Sequence, residues 1–135
     1  MLSGPIKQLM DSTEWGDLDY LFIDMPPGTG DAYLTVAKDL KPDSAILVAT
    51  KSPLAVQDTL KSKILFQKLN IPILGYINNM VSSSSSGGGT EGDITNILGL
   101  DLLGSIPMDD DVANFNLIGS AKLFESTYNN LKIII

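Results

Sequence analysis

The residues with the clearest capacity for chemistry lie in the stretch DYLFIDMPPGTGD, residues 19–31. Tyr20–Ile23 are all apolar or aromatic and run directly into Asp24, after which two prolines and two glycines follow within six positions. A carboxylate that ends a buried strand is typical of a cap or turn, or of a side chain that holds a metal ion or accepts a phosphate. Glycine amides can approach phosphate oxygens closely, and prolines stiffen a loop. The stretch therefore favours a phosphate-handling loop, with Asp31 as the cap of the helix that follows.

Apolar patterning predicts the elements that would position this loop. Four apolar runs have the pattern of strands buried on both faces: Tyr20–Ile23, Ala45–Ala49, Ile71–Ile77 and Leu102–Ile106. Helical spacing predicts a helix over 5–14, a helix after the Asp31 cap that reaches Leu40, and a helix over 53–69. It also predicts a short helix near 94–98 and one at the C-terminus, before the tail 133–135. Their buried faces would carry Tyr33, Val36, Ala37 and Leu40; Leu60, Ile64, Leu65 and Leu69; and Leu123, Phe124, Tyr128 and Leu131.

Alternating strands and helices imply right-handed crossovers and a mostly parallel sheet, which is an α/β fold. In such sheets ligands bind beyond the carboxyl ends of the strands. Four residues stand at or just beyond a predicted strand end: Asp24, Thr50, Asn79 and Pro107. The sequence therefore predicts a site at that edge.

Composition narrows the class of protein. The chain has 135 residues, 44% of them hydrophobic, which suits one domain. A net charge of −7 without a basic patch argues against nucleic-acid binding. No apolar run approaches the ~20 residues that cross a bilayer, and the N-terminus lacks the pattern of a signal peptide. The absence of cysteine is compatible with a reducing compartment, so we expect a cytoplasmic protein that binds neither nucleic acid nor membrane.

DYLFIDMPPGTGD resembles the Walker B and switch II segment of the Mrp-type (ApbC-like) P-loop ATPases, relatives of MinD that carry iron–sulfur clusters. The resemblance extends upstream to SGPIKQLM and EWGDLDY, and downstream to AILVAT, PILGYINNM and GLDLLGSIPMDDDV. It spans most of residues 3–113. The resemblance implies a parallel-sheet, Rossmann-like layered P-loop NTPase fold. It also implies an ATPase that carries or assembles iron–sulfur clusters.

The same resemblance assigns site residues. Asp24 would be the catalytic-site carboxylate that holds Mg²⁺ through water. The loop that senses the γ-phosphate of ATP would comprise Pro27, Gly28, Thr29 and Gly30. The adenine pocket would be lined by Asn79, Pro107 and Met108. A turn threonine and a strand-end turn asparagine are the ordinary structural alternatives for Thr29 and Asn79.

Two departures from the family limit what is implied. Nothing in residues 1–23 resembles the Walker A loop, whose amides and lysines hold the phosphates. We therefore expect residues 1–135 to form a partial P-loop ATPase domain, from Walker B to the C-terminus, with a flexible Ser/Gly tract at 82–89. Without Walker A, and at a net charge of −7, this chain alone should bind Mg-ATP weakly or not at all and should not hydrolyse it.

The second departure concerns the cluster. The family places a Cys-x-x-Cys pair after the strand that ends in ENM, whereas this chain reads VSSSSSGGG there. Serine hydroxyls do not replace thiolates as iron ligands. The partners that the resemblance implies are a second copy, or a full-length family member, and iron–sulfur recipient proteins.

Two alternative interpretations of this sequence make different predictions about the chain. A response-regulator receiver domain also ends a strand on an aspartate, but it needs an acidic pair on an earlier strand, and no strand is predicted before Tyr20. The other alternative is a truncated or split half-domain that acts as an interaction or regulatory partner without ATPase activity. An incomplete sheet of this kind would expose strand edges and apolar surfaces.

Overall fold

The computed structural model describes residues 3–26, 28, 30–82, 90–110 and 124–131. Helices and strands alternate along most of the chain, in the order α1 (Ser3–Ser12), α2 (Asp31–Leu40), β1 (Ala45–Ala49), α3 (Pro53–Lys68), β2 (Ile73–Val81), α4 (Thr90–Leu98) and β3 (Leu102–Pro107). Residues 124–131 form a further helix, α5. Among these helices none is long and apolar enough to cross a membrane.

The described strands form one parallel sheet in the order β1-β2-β3. This confirms the predicted α/β class and the predicted parallel pairing. β2 is central and pairs on both sides, so in the described part of the chain β1 and β3 each have one neighbour. Because the strands are parallel, their carboxyl ends all lie at the same end of the sheet, which we call the carboxyl edge.

The core lies between one face of the sheet and the helices that cover it. Register places Leu47 beside Tyr76 and Ala49 beside Asn78, and all four are buried on this helix-covered face. Helices α3 and α4 pack over it, and the hydroxyl of Tyr76 shares a 2.8 Å hydrogen bond with that of Thr95 on α4. The aromatic rings of Tyr33 on α2 and Phe66 on α3 lie 5.5 Å apart, so α2 joins the same layer.

The second face of the sheet carries Ile46, Val48, Ile77 and Gly104, which share a face by register. Helix α5 covers part of it. A Cβ on Gly104 would overlap the side chain of Thr127, and the amide of Asn130 donates to the Leu103 carbonyl at 2.7 Å. Val48, by contrast, is exposed.

The prediction of a strand over Tyr20–Ile23 is wrong for this structure. These residues form no strand, and three of the four are exposed. A strand is stable only when its amides and carbonyls pair with a neighbour. The segment has the composition of a buried strand, but none of the described strands lies beside it.

Element boundaries differ in smaller ways. Helix α1 begins and ends two residues earlier than predicted, and β2 runs past Ile77 to Val81. On α3, Leu60, Leu65 and Leu69 of the predicted face pack against the core, whereas the prediction is wrong for Ile64, which is exposed. The most buried residues of this helix are Val56, Thr59 and Phe66. On α2, burial of Tyr33, Val36 and Ala37 confirms the predicted face, while Leu40 is half-buried.

Several predictions fall outside the described residues. These are the roles of Pro27 and Thr29, the Ser/Gly tract over 83–89, the helical position of Leu123, and the tail 133–135.

Candidate functional site

The carboxyl ends of β2 and β3 bring three predicted site residues together. Val81 pairs with Pro107, and the backbone N–H of Met108 donates to the Val81 carbonyl at 2.9 Å. Asn79 lies two residues before Val81 on β2 and is half-buried. The structure therefore places Asn79, Pro107 and Met108 side by side at the carboxyl edge, where ligands bind in open α/β sheets.

A bulge shapes this part of the edge. The register between β2 and β3 shifts between Asn78 and Val81, and Met80 within the shift has a φ of 55°. The side-chain oxygen of Asn79 accepts the backbone N–H of Met80 at 2.9 Å. Bulges and left-handed non-glycine residues are over-represented beside functional sites, where they redirect side chains. Sequence reasoning missed Met80, and nothing in its residue type signals the bulge.

The end of β1 adds a helix N-terminus to the same edge. Thr50 follows β1, and its hydroxyl accepts the backbone N–H of Ser52 at 3.4 Å. Ser52 is the N-cap of α3 and Pro53 is in its first turn, as the sequence predicts. The first amides of a helix carry partial positive charge, so this end of α3 gives the edge a positive contribution in an acidic chain.

The loop that contains Asp24 lies in a different part of the chain, between α1 and α2. Asp24 is exposed, while the next residue, Met25, packs partly against the core. Gly28 has a φ of 82°, a conformation that suits glycine. Gly30 is the N-cap of α2, and its carbonyl accepts the backbone N–H of Leu34 at 3.0 Å. Asp31 is therefore the first residue of α2, where its charge favours the helix dipole, and the prediction that it caps the helix is wrong.

The glycines of this loop leave room beside the backbone. A Cβ built on Gly28 or Gly30 would meet nothing within 4 Å. Backbone N–H groups that are open in this way can donate to a ligand oxygen at short range. Among the described residues, however, no hydrogen bond links this loop to Asn79, Pro107 or Met108, so the two halves of the predicted site are not joined in this structure.

The side chains available as metal ligands limit which ions or clusters this chain can hold. No group of three or more acidic, histidine or cysteine side chains suited to a metal lies among the described residues. A single carboxylate such as Asp24 suits Mg²⁺ held mainly by water and phosphate oxygens. The sequence has no cysteine, so these residues do not fit an iron–sulfur cluster, whose ligands are thiolates.

One further polar residue was missed by sequence reasoning. Asn78 is fully buried on the helix-covered face, and neither its side-chain nitrogen nor its side-chain oxygen has a hydrogen-bond partner. Most buried polar atoms in proteins are paired. The Asn-Asn pair at 78–79 is the only sequence signal at this position, and it does not reveal which of the two is buried.

The parallel sheet and its helical layer define an α/β domain, and the comparisons with known proteins place this domain among the P-loop NTPase-like folds. The family model described as ParA, "NUBPL iron-transfer P-loop NTPase", matches residues 1–132. The chain therefore belongs to this family.

Relatives with curated names support the same family. The chain is 38% identical over 122 residues to the iron-sulfur cluster carrier protein of Aquifex aeolicus, covering 84% of this chain and 34% of that protein. It is 32% identical over 133 residues to the mouse iron-sulfur cluster transfer protein NUBPL, covering 92% of this chain and 42% of that protein. The chain thus spans between a third and about two fifths of the length of these relatives.

A solved structure shows the same architecture. The septum site-determining protein MinD of Pyrococcus horikoshii, complexed with Mg-ADP, superposes with a TM-score of 0.63 at 25% identity, covering 96% of this chain and 45% of that one. The expected likeness to MinD-type P-loop folds is confirmed.

Proposed function

We propose that this chain is the Walker B to C-terminal part of an iron–sulfur cluster carrier ATPase and acts in cluster transfer or assembly. The observation that carries the proposal is the family match over residues 1–132, together with the grouping of Asn79, Pro107 and Met108 at the carboxyl edge. Because the chain contains no cysteine, it would not hold the cluster through its own side chains. Iron–sulfur recipient proteins, and a cytoplasmic location, remain part of this proposal.

The proposed nucleotide site has two halves. Asp24 would hold Mg²⁺ through water, and the loop of Pro27, Gly28, Thr29 and Gly30 would contact the γ-phosphate. Asn79, Pro107 and Met108 would contact the adenine, with Asn79 offering both an amide donor and an acceptor. MinD of Pyrococcus horikoshii is complexed with Mg-ADP, which supports a nucleotide for this fold.

The affinity of this chain alone should be low. A net charge of −7 repels a polyphosphate. These residues include no Walker A lysine or glycine-rich phosphate loop that would compensate for this repulsion. We expect Mg-ATP to bind with a dissociation constant in the millimolar range or weaker, and we expect no ATP hydrolysis.

Isothermal titration with Mg-ATP tests this proposal. Residual binding should fall further in Asp24→Ala, while the matched control Asp19→Ala, another exposed carboxylate five residues upstream, should leave binding unchanged. Micromolar affinity in the unmodified chain, or equal effects of the two substitutions, would overturn the assignment. A stable visible-absorbing cluster after anaerobic reconstitution would contradict the conclusion that the residues here do not ligate one.

A second function is favoured by the exposed apolar surface. Leu18, Tyr20, Leu21 and Phe22 are all exposed within one short segment. Clustered apolar exposure marks interaction surfaces. We therefore retain, as the alternative, an interaction or regulatory half-domain without ATPase activity that pairs with a second copy or with a full-length family member.

A further inference from the structure

We propose that Met80 and Met108 together form a site of reversible oxidation at the carboxyl edge, where peroxides convert their thioethers to sulfoxides while the fold is retained. The oxidation itself does not depend on the proposed function, whereas its effect on nucleotide binding rests on that function.

The two methionines meet at the ends of neighbouring strands. Met80 immediately precedes Val81, the last residue of β2. Val81 pairs with Pro107, the last residue of β3, and Met108 follows directly. The backbone N–H of Met108 also donates to the Val81 carbonyl at 2.9 Å. Both methionines therefore lie close to Asn79, in the half of the carboxyl edge that carries the proposed adenine contacts.

Exposure separates these two side chains from the other methionines that the structure describes. Met80 is 60% exposed and Met108 is 70% exposed. Met10 and Met25 are half-buried, and Met25 packs against the core. A peroxide must reach the sulfur in order to oxidise it, so accessible methionines react first. Because β2 has a neighbour on each side and β3 is paired with it, this exposure does not come from an unpaired strand segment.

Thioethers are the only sulfur groups in this chain, which contains five methionines and no cysteine. No thiolate therefore competes for a peroxide. A lone pair of the sulfur attacks one peroxide oxygen, so that the sulfur–oxygen bond forms as the oxygen–oxygen bond breaks. With hydrogen peroxide the second oxygen leaves as water. The sulfur loses two electrons and the peroxide gains them.

The exposed position of both sulfurs separates oxidation from unfolding. A sulfoxide is polar, so it disrupts a core but stays hydrated at a surface. We therefore expect sulfoxides at Met80 and Met108 to leave the pairing of β2 with β3 intact, whereas a sulfoxide at Met25 would disturb its packing against the core. Exposed sulfoxides are also accessible to the reductases that restore the thioether.

Oxidation would change the hydrogen-bonding groups around Asn79. Its side-chain oxygen accepts the backbone N–H of Met80 at 2.9 Å, which leaves the amide N–H groups as donors to a ligand. A sulfoxide oxygen accepts hydrogen bonds, so at residue 80 or 108 it competes with a nucleotide base for these donors. At Met108 it also replaces an apolar contact with a polar one. Oxidation should therefore weaken nucleotide binding at the proposed site.

Peptide mass spectrometry of the full chain during exposure to hydrogen peroxide tests the location of the site. Sulfoxide should form at Met80 and Met108 at least about three times faster than at Met10 and Met25, because access to the sulfur controls the rate. Comparable rates at all four residues, or faster oxidation of Met25, would overturn the inference.

The variant Met10→Leu/Met25→Leu tests whether the modification is reversible in the folded protein. Among the described residues it confines oxidation to positions 80 and 108, and leucine replaces methionine with little change in volume. Oxidation should shift its Tm by less than about 2 °C, as expected for a change at the surface. The two methionine sulfoxide reductases, one for each sulfoxide epimer, should then remove both modifications. Loss of cooperative unfolding, or sulfoxides that the reductases leave in place, would contradict the proposal.

Titration with Mg-ATP, followed by nuclear magnetic resonance, tests the effect on the proposed function. Oxidation should raise the dissociation constant about fivefold, which corresponds to the loss of one hydrogen bond. The matched variant Met80→Leu/Met108→Leu, treated with the same peroxide, should show no such change. A dissociation constant that oxidation leaves unchanged in the unmodified chain refutes the effect on binding. If the chain binds no Mg-ATP before oxidation, the proposed function fails instead, and the mass spectrometry and reductase results alone decide the oxidation site.

Discussion

The substitution Asn78→Leu should stabilise the protein. Asn78 is 0% exposed, and both polar atoms of its side chain lack a hydrogen-bond partner. Each buried group of this kind costs about 1–3 kcal/mol, because its bonds to water are lost on folding and not replaced. Leucine has the same branching of heavy atoms at the same positions and needs no hydrogen bond.

The expected gain is smaller than the sum of the two penalties. The methyl groups of leucine are larger than the amide atoms that they replace, and overpacking a dense core costs about 1–3 kcal/mol. Burial of additional apolar surface offsets part of that cost, at about 25 cal/mol per Å². We therefore expect the free energy of unfolding to rise by about 1–3 kcal/mol, which raises Tm by roughly 3–10 °C for a domain of this size.

Urea denaturation followed by circular dichroism measures this change. Asn79→Leu is the matched control, since that neighbouring side chain is half-buried and accepts the Met80 N–H, so its loss should lower the stability. If Asn78→Leu instead lowers the stability by more than about 1 kcal/mol, the amide of Asn78 is paired in solution and the reasoning is refuted.

Three further substitutions have definite expected outcomes. Gly75→Ala should lower the free energy of unfolding by more than about 2 kcal/mol in urea denaturation, because its φ is 153° and an added Cβ would lie 2.5 Å from the Asp101 carbonyl oxygen. Met80→Gly should raise it by about 1 kcal/mol by removing the cost of a left-handed non-glycine residue, and an unchanged midpoint would argue against strain at the bulge. Burial raises the pKa of Tyr33 above its usual value of 10, with a hydrogen bond to Ser62 acting in the opposite direction. Burial of the neutral Tyr33 hydroxyl therefore stabilises the protein fully below pH 10, and this stabilisation is lost as the pH rises through the folded pKa. Tyr33→Phe should accordingly show a smaller alkaline loss of Tm than the unmodified chain.

The sequence predicted the sheet well where each strand has a partner in this chain. β1 has the predicted bounds, and β3 differs by one residue. Both are short apolar runs between turns, a pattern that buried parallel strands share. Tyr20–Ile23 has the same pattern and forms no strand, because composition records that a segment suits a sheet but does not supply the neighbour that pairs with it.

The meeting of the strand-end residues could be predicted from the sequence, whereas the details of their surroundings could not. Parallel strands bring their carboxyl ends to one edge, so the sequence order of Asn79 and Pro107 was enough to predict that they meet. The bulge at Met80 lies in a register shift between β2 and β3, and the amide of Asn78 is buried without a partner. Neither feature can be read from local residue types, because register and burial are set by contacts between elements that are distant in the sequence.

The unpaired segment and the separated site have one physical cause. Residues 20–24 carry both the strand that has no partner and the carboxylate predicted to hold Mg²⁺. A side chain at the end of a strand is held in place by the hydrogen bonds of that strand, and here those bonds are not made. The position of Asp24 in this structure is therefore not set by strand hydrogen bonds.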